Sequence, residues 1–234
     1  MTKVDLPLPD SAHTAATNDR VIDAAERLFA EHGVAGTSVR MITEQAQVNV
    51  AAVNYHFGTK ENLVRAVIAR RFSGLEAARA AALDAVEARA AQEHRAPSVV
   101  ELVESLIGPI FEQALSDDSG WPHFIRFLSR LAWEPGMENM APPDGALRLF
   151  ERFDNALQRA APALNASPAT RLWRLAFMRG AIQHALLMIT AQRTGRIPKE
   201  MPFAKEVASF DVPAIKRQLI AFVAAGLSAP NPQA

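Results

Sequence analysis

From Asn18 onward, apolar residues recur at intervals of three and four, and no stretch alternates strictly between apolar and polar. This pattern predicts an all-α fold. A first helix is expected from about Asp19 to Glu31, with Val21, Ile22, Ala25, Leu28 and Phe29 on one stripe and Gly33 at the left-handed position that follows. Thr37 or Ser38 can cap a short second helix that turns Val39, Ile42 and Ala46 inward. After the turn Gln47-Val48-Asn49, Asn49 caps a third helix, Val50 to Phe57, which Gly58 ends. Thr59 then caps a long fourth helix carrying Leu63, Val67, Ile68, Phe72 and Leu75. Three short helices, the last two joined by a tight turn, form the helix-turn-helix pattern.

Beyond these helices, Pro and Gly punctuate the chain. Arg89 to Pro97 scans as a loop. Ser98-x-x-Glu101 is a capping box for a helix with Leu102, Leu106, Ile110 and Phe111, kinked at Pro109. Trp121-Pro122 opens a helix to about Trp133, and a Pro-rich loop follows from Glu134 to Asp144. Further helices are expected from Gly145 to Ala160, from Ser167-Pro168 to about Thr190, and from Asp211-Pro213 to Gly226, with a loop from Arg193 to Phe210. The resulting division is a flexible tail (1–17), a helix-turn-helix domain (18–65) and a larger helical domain (66–228).

Composition narrows the function. Of 234 residues, 49% are hydrophobic, and 25 Lys+Arg balance 25 Asp+Glu, which excludes a globally basic nucleic-acid binder but not a local patch. With no cysteine, disulfides, thiolate zinc sites and cysteine nucleophiles are excluded. No apolar run approaches the roughly 18 residues of a spanning helix. A soluble, cytoplasmic protein with no membrane partner is expected. Phosphate loops, dinucleotide fingerprints, His-Glu-x-x-His and Gly-x-Ser-x-Gly are missing, and the six histidines lack metal-ligand spacing. The expectation is a non-enzyme without metal or cofactor.

The residues Ala24-Ala25-Glu26-Arg27-Leu28-Phe29-Ala30-Glu31-His32-Gly33, Thr37-Ser38-Val39-Arg40-Met41-Ile42 and Val48-Asn49-Val50-Ala51-Ala52-Val53-Asn54-Tyr55-His56-Phe57-Gly58-Thr59-Lys60-Glu61-Asn62-Leu63 stand at a specific spacing. This segment resembles the DNA-binding domain of TetR-family transcriptional regulators. One position departs: Gln47 stands where the family usually has Gly, and a left-handed conformation there costs about 1 kcal/mol. Phe124-Ile125-Arg126-Phe127-Leu128 and Leu172-Trp173-Arg174-Leu175-Ala176-Phe177-Met178 are more weakly similar to fatty-acid-responsive repressors of the PsrA type. The resemblance implies a ligand-responsive homodimer on double-stranded operator DNA, a repressor released by a small hydrophobic effector such as a fatty acid or acyl-CoA. The alternatives are a regulator with a drug-like or aromatic effector, and a helical-bundle carrier or adaptor without DNA binding.

Residues 19–72 hold seven basic and six acidic residues, so placement rather than total charge must carry DNA binding. Ala51 and Ala52 allow close approach to bases and contact with a thymine methyl, and Asn54 can pair with adenine. Tyr55 and His56 suit phosphate at the groove edge, or form a packed pair. Asn49, Thr59 and Lys60 lie at helix starts that favour phosphate, although Lys60 alone could be simply solvated. Thr37 and Ser38 offer hydroxyls, and Arg40 a guanidinium for phosphate or guanine.

The 167–190 helix has two apolar stripes, one with Leu172, Leu175, Ala176, Ile182, Leu186 and Ile189, the other with Trp173, Phe177, Gly180, Ala181, His184 and Met188. A helix buried on two sides needs two partners. With Ile215, Leu219, Phe222 and Val223 of the last helix it could form a four-helix bundle across a two-fold axis. The pairing candidates are Trp173, Ile182, His184, Leu186, Ile189, Ile215, Leu219, Phe222 and Val223, and the alternative is a larger monomeric core. Phe111, Phe124, Phe127, Leu128, Leu131, Phe177 and Met178 are candidates for an effector pocket or for plain core. Arg126 and Arg130, at i and i+4, could clamp a carboxylate or lie in solvent.

Overall fold

The computed structural model describes residues 11–118, 120–131, 134, 137, 144–197, 200 and 203–231. The described residues form α-helices and a single 3₁₀ helix at Pro162–Ala166, with no strand among them. The α-helices are α1 (Ser11–His32), α2 (Val39–Ala46), α3 (Val50–Phe57), α4 (Lys60–Gln92), α5 (Val99–Leu115), α6 (Gly120–Leu131), α7 (Asp144–Ala160), α8 (Pro168–Arg193), α9 (Ala204–Ala208) and α10 (Val212–Ser228).

Side-chain caps set most starts. Ser38, Asn49 and Thr59 accept from the backbone N–H groups of Met41, Ala51 and Asn62 at 3.2, 2.9 and 3.2 Å. Ser98 and Glu101 form the full capping box, while Ser167 and Asp211 cap α8 and α10. Between α2 and α3, Gln47 takes the left-handed conformation (φ 54°, ψ 48°) despite carrying a Cβ. Its N–H and that of Val48 bond back to the carbonyls of α2, at Glu44 and Thr43, so the turn stays closed.

α1 buries Val21, Ala25, Leu28 and Phe29 against Ile42 of α2, Val53 of α3 and Leu63, Val64 and Val67 of α4. α4, about 50 Å long at 1.5 Å per residue, leaves this cluster and continues with Leu75, Leu83 and Val86 into the core of α5 and α7. The division expected at residue 65 therefore falls inside one continuous helix. α6 lies directly on α1: the ring of Phe127 is 5.6 Å from Phe29, and that of Phe124 is 5.9 Å from Phe72 of α4.

A buried ionic cluster ties these elements together. The Glu26 side chain is 2% exposed and takes Arg71 in a two-point bond, Nε to Oε2 at 2.7 Å and Nη2 to Oε1 at 2.8 Å. Arg71 also bonds Asp118 and lies over the Trp121 ring, 5.5 Å from its centroid. Burial would lower the Arg71 pKa, but the hydrogen bonds of Glu26 and Asp118 outweigh it and the net shift is upward. Gly120 is needed for this approach, because a Cβ there would stand 1.6 Å from Arg71 Nη2.

Several expectations change. α1 starts at Ser11, so residues 11–17 are its first turns rather than a tail; residues 1–10 lie outside the described ones. Trp133 and most of the expected 134–144 loop also lie outside them. α4 extends to Gln92, α10 to Ser228, and the expected 193–210 loop contains α9.

Candidate nucleic-acid interface

α3 is amphipathic over only two turns. Val53 is buried, and Ala52, His56 and Phe57 are half-buried. Val50, Ala51, Asn54 and Tyr55 face outward, and Tyr55 is 83% exposed. The His56 ring meets Tyr55 edge-on at 5.1 Å and Phe57 at 6.4 Å. His56 thus anchors the pair while the phenol stays outside. The carboxamide of Asn54 has no hydrogen bond among the described residues.

The hydroxyls of Ser38 and Thr59 accept from backbone N–H groups; Ser38 keeps its own proton for an outside acceptor, whereas Thr59 gives its proton to the Glu61 carboxylate. Asn49 spends its carbonyl oxygen on the cap and keeps its amide hydrogens. Arg40, on exposed α2, donates Nε to Glu44 Oε1 at 2.8 Å, and that hydrogen bond raises its pKa.

Two expected DNA contacts are structural instead. Thr37 is 1% exposed and donates its hydroxyl to the Gly33 carbonyl at 2.7 Å, closing the α1–α2 turn. Lys60 is half-buried, and its Nζ donates to the carbonyls of Val34 at 2.8 Å and Thr37 at 3.2 Å. An ammonium has three hydrogens, so two are committed to stapling the start of α4 to the turn before α2. The staple brings the capped starts of α2 and α4 together.

The second exposed face is apolar. Leu172, Trp173 and Phe177 on α8 and Phe222 on α10 point away from the core, with Phe177 66% and Phe222 69% exposed. The Trp173 and Phe177 rings are 5.9 Å apart, and Gly180 and His184 continue the same face. Of the expected pairing residues, Ile182, Leu186, Ile189, Leu219 and Val223 are buried and belong to the chain's own core, because the α8 stripe that holds Ile182 packs on α10. Ile215 is half-buried, on a groove of about 510 Å³ that also includes Phe210, Ala214 and Phe222. Leu172 shares a stripe with Ile182, Leu186 and Ile189 by periodicity, yet it is exposed, one turn from the start of α8.

The effector candidates divide similarly. Phe111, Phe124, Phe127 and Met178 are buried, and Leu128 and Leu131 pack against the same core cluster, in which Phe127 meets Phe29 of α1 and Phe124 meets Phe72 of α4. Phe177 points outward and is no part of that lining. Arg130 is not free for a ligand: its Nη1 donates to the carbonyls of Ala30 at 3.3 Å and Glu31 at 2.9 Å, capping α1. The Glu134 carboxylate accepts from Ala35 N–H at 2.7 Å. Composition gave no signal for this two-point grip of the α6 end on the α1–α2 turn. Arg126 is half-buried with no hydrogen bond among the described residues, and burial followed by the neighbouring Arg196 lowers its pKa.

No helix among the described residues is long and apolar enough to cross a membrane. The family model of bacterial regulatory proteins, tetR family, matches residues 21–67. A second model, the tetracyclin repressor-like C-terminal domain, matches residues 104–226. The HTH-type transcriptional regulator YttP of Bacillus subtilis is 31% identical over 88 residues, 38% of this chain and 42% of that protein. The HTH-type transcriptional repressor AcnR of Corynebacterium glutamicum is 43% identical over 53 residues, 22% of this chain and 28% of that protein. The chain thus spans less than half the length of these curated relatives. A crystal structure of a tetR family transcription regulator from Shewanella sp. PV-4 shares the fold, with a TM-score of 0.58 and 17% identity over 88% of this chain and 95% of that one.

Proposed function

The chain belongs to the TetR family of bacterial regulatory proteins, and from that premise we propose that two copies pair through α8 and α10, place their α3 helices in a two-fold operator, and repress transcription until a small hydrophobic effector releases them. Residues 18–65 are the reading unit and 66–228 the regulatory and pairing unit. The protein acts in the cytoplasm, where its operator lies. The observation that carries this proposal is the outward face of α3, where an amide and a phenol without a hydrogen bond among the described residues stand on a helix whose other side is anchored in the core.

α3 would enter the major groove, with its partner one helical turn away, roughly 34–36 Å along the duplex. Ser38 and Tyr55 would donate to phosphate oxygens, and the first N–H groups of α2 and α4 would add their partial positive charge. Selection of duplexes from a randomised pool by the full-length protein, followed by salt titration, tests the proposal. A two-fold symmetric consensus whose affinity falls steeply with salt is expected. Binding without sequence preference would leave the carrier or adaptor in its place.

The effector is proposed to be a fatty acid or acyl-CoA, because the core beneath α6 is built of Phe, Leu and Met and Arg126 beside it has no hydrogen bond among the described residues. A chain entering there must displace α6, which grips α1 through Arg130 and Glu134, and so disturbs the spacing of the two α3 helices. A hundredfold loss of operator affinity needs about 2.7 kcal/mol of coupling. Each methylene buried contributes about 0.8 kcal/mol, so release should strengthen with chain length until the space is full. A series without length dependence would turn attention to aromatic or drug-like compounds.

A further inference from the structure

The face of α3 that leaves the core carries a chemical preference of its own. α3 contains no Lys, Arg, Asp or Glu. Its outward side chains are two aliphatic ones, Val50 and Ala51, an amide, Asn54, and a phenol, Tyr55. Residues 50 and 51 lie one turn before 54, so the aliphatic pair and the amide share one face.

The nearest cations do not change this. Lys60 spends two of its three hydrogens on the Val34 and Thr37 carbonyls. Arg40 belongs to α2, outside the face of α3, and its Nε is bonded to Glu44. In the major groove, guanine is read best by an Arg or Lys fork on O6 and N7, and cytosine N4 by a carboxylate. α3 offers neither. Thymine presents a 5-methyl group, which an aliphatic side chain can cover, and adenine presents N6 and N7, which an amide can bond in pairs. The Asn54 carboxamide is uncommitted among the described residues, and Val50 and Ala51 are exposed and stand outside the core cluster.

Resting on the proposal that α3 enters the major groove, we infer that this surface selects an A·T-rich half-site, in which thymine methyls pack on Val50 and Ala51 and one adenine is held by Asn54. Tyr55 lies at the edge of this contact and serves the backbone. Ala51 and Val50 thereby become specificity-determining residues through shape alone, without a hydrogen bond.

The full-length protein, the duplex consensus it enriches, and single-atom changes in that duplex provide the test. Replacing a contacted thymidine by deoxyuridine removes only the methyl group and should weaken binding about fourfold, or roughly fifteenfold when both half-sites are changed. Replacing the contacted adenine by 7-deazaadenine should weaken binding about tenfold. Asn54→Ala, at an exposed position, removes the N6 bond as well and acts in both half-sites, so its loss should be larger, and combining it with 7-deazaadenine should add nothing further. Deoxyuridine outside the half-sites should have no effect. A consensus with G·C pairs at the half-site centres, or an affinity indifferent to deoxyuridine, would overturn the inference while leaving sequence-specific binding intact. Enrichment of no sequence at all would remove the DNA-binding proposal beneath it.

Discussion

On α3 the residues that face away from the core are small or polar, apart from one valine and one tyrosine; on α8 and α10 they are Leu172, Trp173, Phe177 and Phe222. The two faces would behave differently in water. A surface like that of α3 is comfortably hydrated and can wait for a polyanion. A cluster of large apolar side chains gains roughly 25 cal/mol for each Å² removed from water, so the α8–α10 face favours a covered state at all times. Pairing should therefore precede DNA recognition, and the free protein should already be a dimer. The same contrast runs through α8 itself, where Ile182, Leu186 and Ile189 serve the chain's own core and the opposite side leaves Trp173 and Phe177 exposed.

The largest expected effect separates these two sides of α8. Ile189→Asp places an unpaired charge in the core and should cost about 5 kcal/mol, enough to unfold the chain in a thermal melt followed by circular dichroism. Glu26→Ala leaves Arg71 buried with Asp118 as its remaining partner; urea denaturation should show a loss of about 3 kcal/mol. A loss under about 1 kcal/mol would mean that the cluster does not hold α1, α4 and α6 together. Phe177→Asp should leave stability within about 0.5 kcal/mol while dissociating the dimer and lowering operator affinity about a hundredfold, near 2.7 kcal/mol. If it unfolds the chain as Ile189→Asp does, the inner and outer faces of α8 are wrongly assigned. The smallest effect concerns the turn before α3: Gln47→Gly removes the left-handed strain but adds chain entropy in the unfolded state, for a net gain of about 0.5 kcal/mol.

The legibility of the sequence follows the range of each interaction. Caps and left-handed turns are local, so Ser38, Asn49, Gln47, Ser98, Ser167 and Asp211 could be placed from their immediate neighbours. The start of α1 was not legible, since the apolar stripe begins at Val21 and the turns before it are held by small helix-favouring residues such as Ala15 and Ala16. α9 spans five residues, too few for a period to register. Long-range partners were invisible. A lysine opening a helix beside a DNA-reading segment looks like a phosphate contact, and nothing in its neighbourhood reveals that the Val34 and Thr37 carbonyls, 26 and 23 residues away, receive its hydrogens. Arg130 likewise looked free until the end of α1 appeared beside it. With two apolar stripes on α8, periodicity showed that two partners are needed but not which stripe meets which.

Pairing through α8 is the claim on which operator spacing and effector release both depend, and the chain's lack of cysteine makes it directly measurable. A Cβ at Gly180 meets nothing within 4 Å, so Gly180→Cys fits without strain on the outward face. Single cysteines at Gly180 or His184 should cross-link rapidly into a covalent dimer with a short bis-maleimide, at protein concentrations where a cysteine at the exposed Ala88 of α4 does not. The cross-linked dimer should keep its operator affinity. Cross-linking at Gly180 and His184 no faster than at Ala88 would contradict the account.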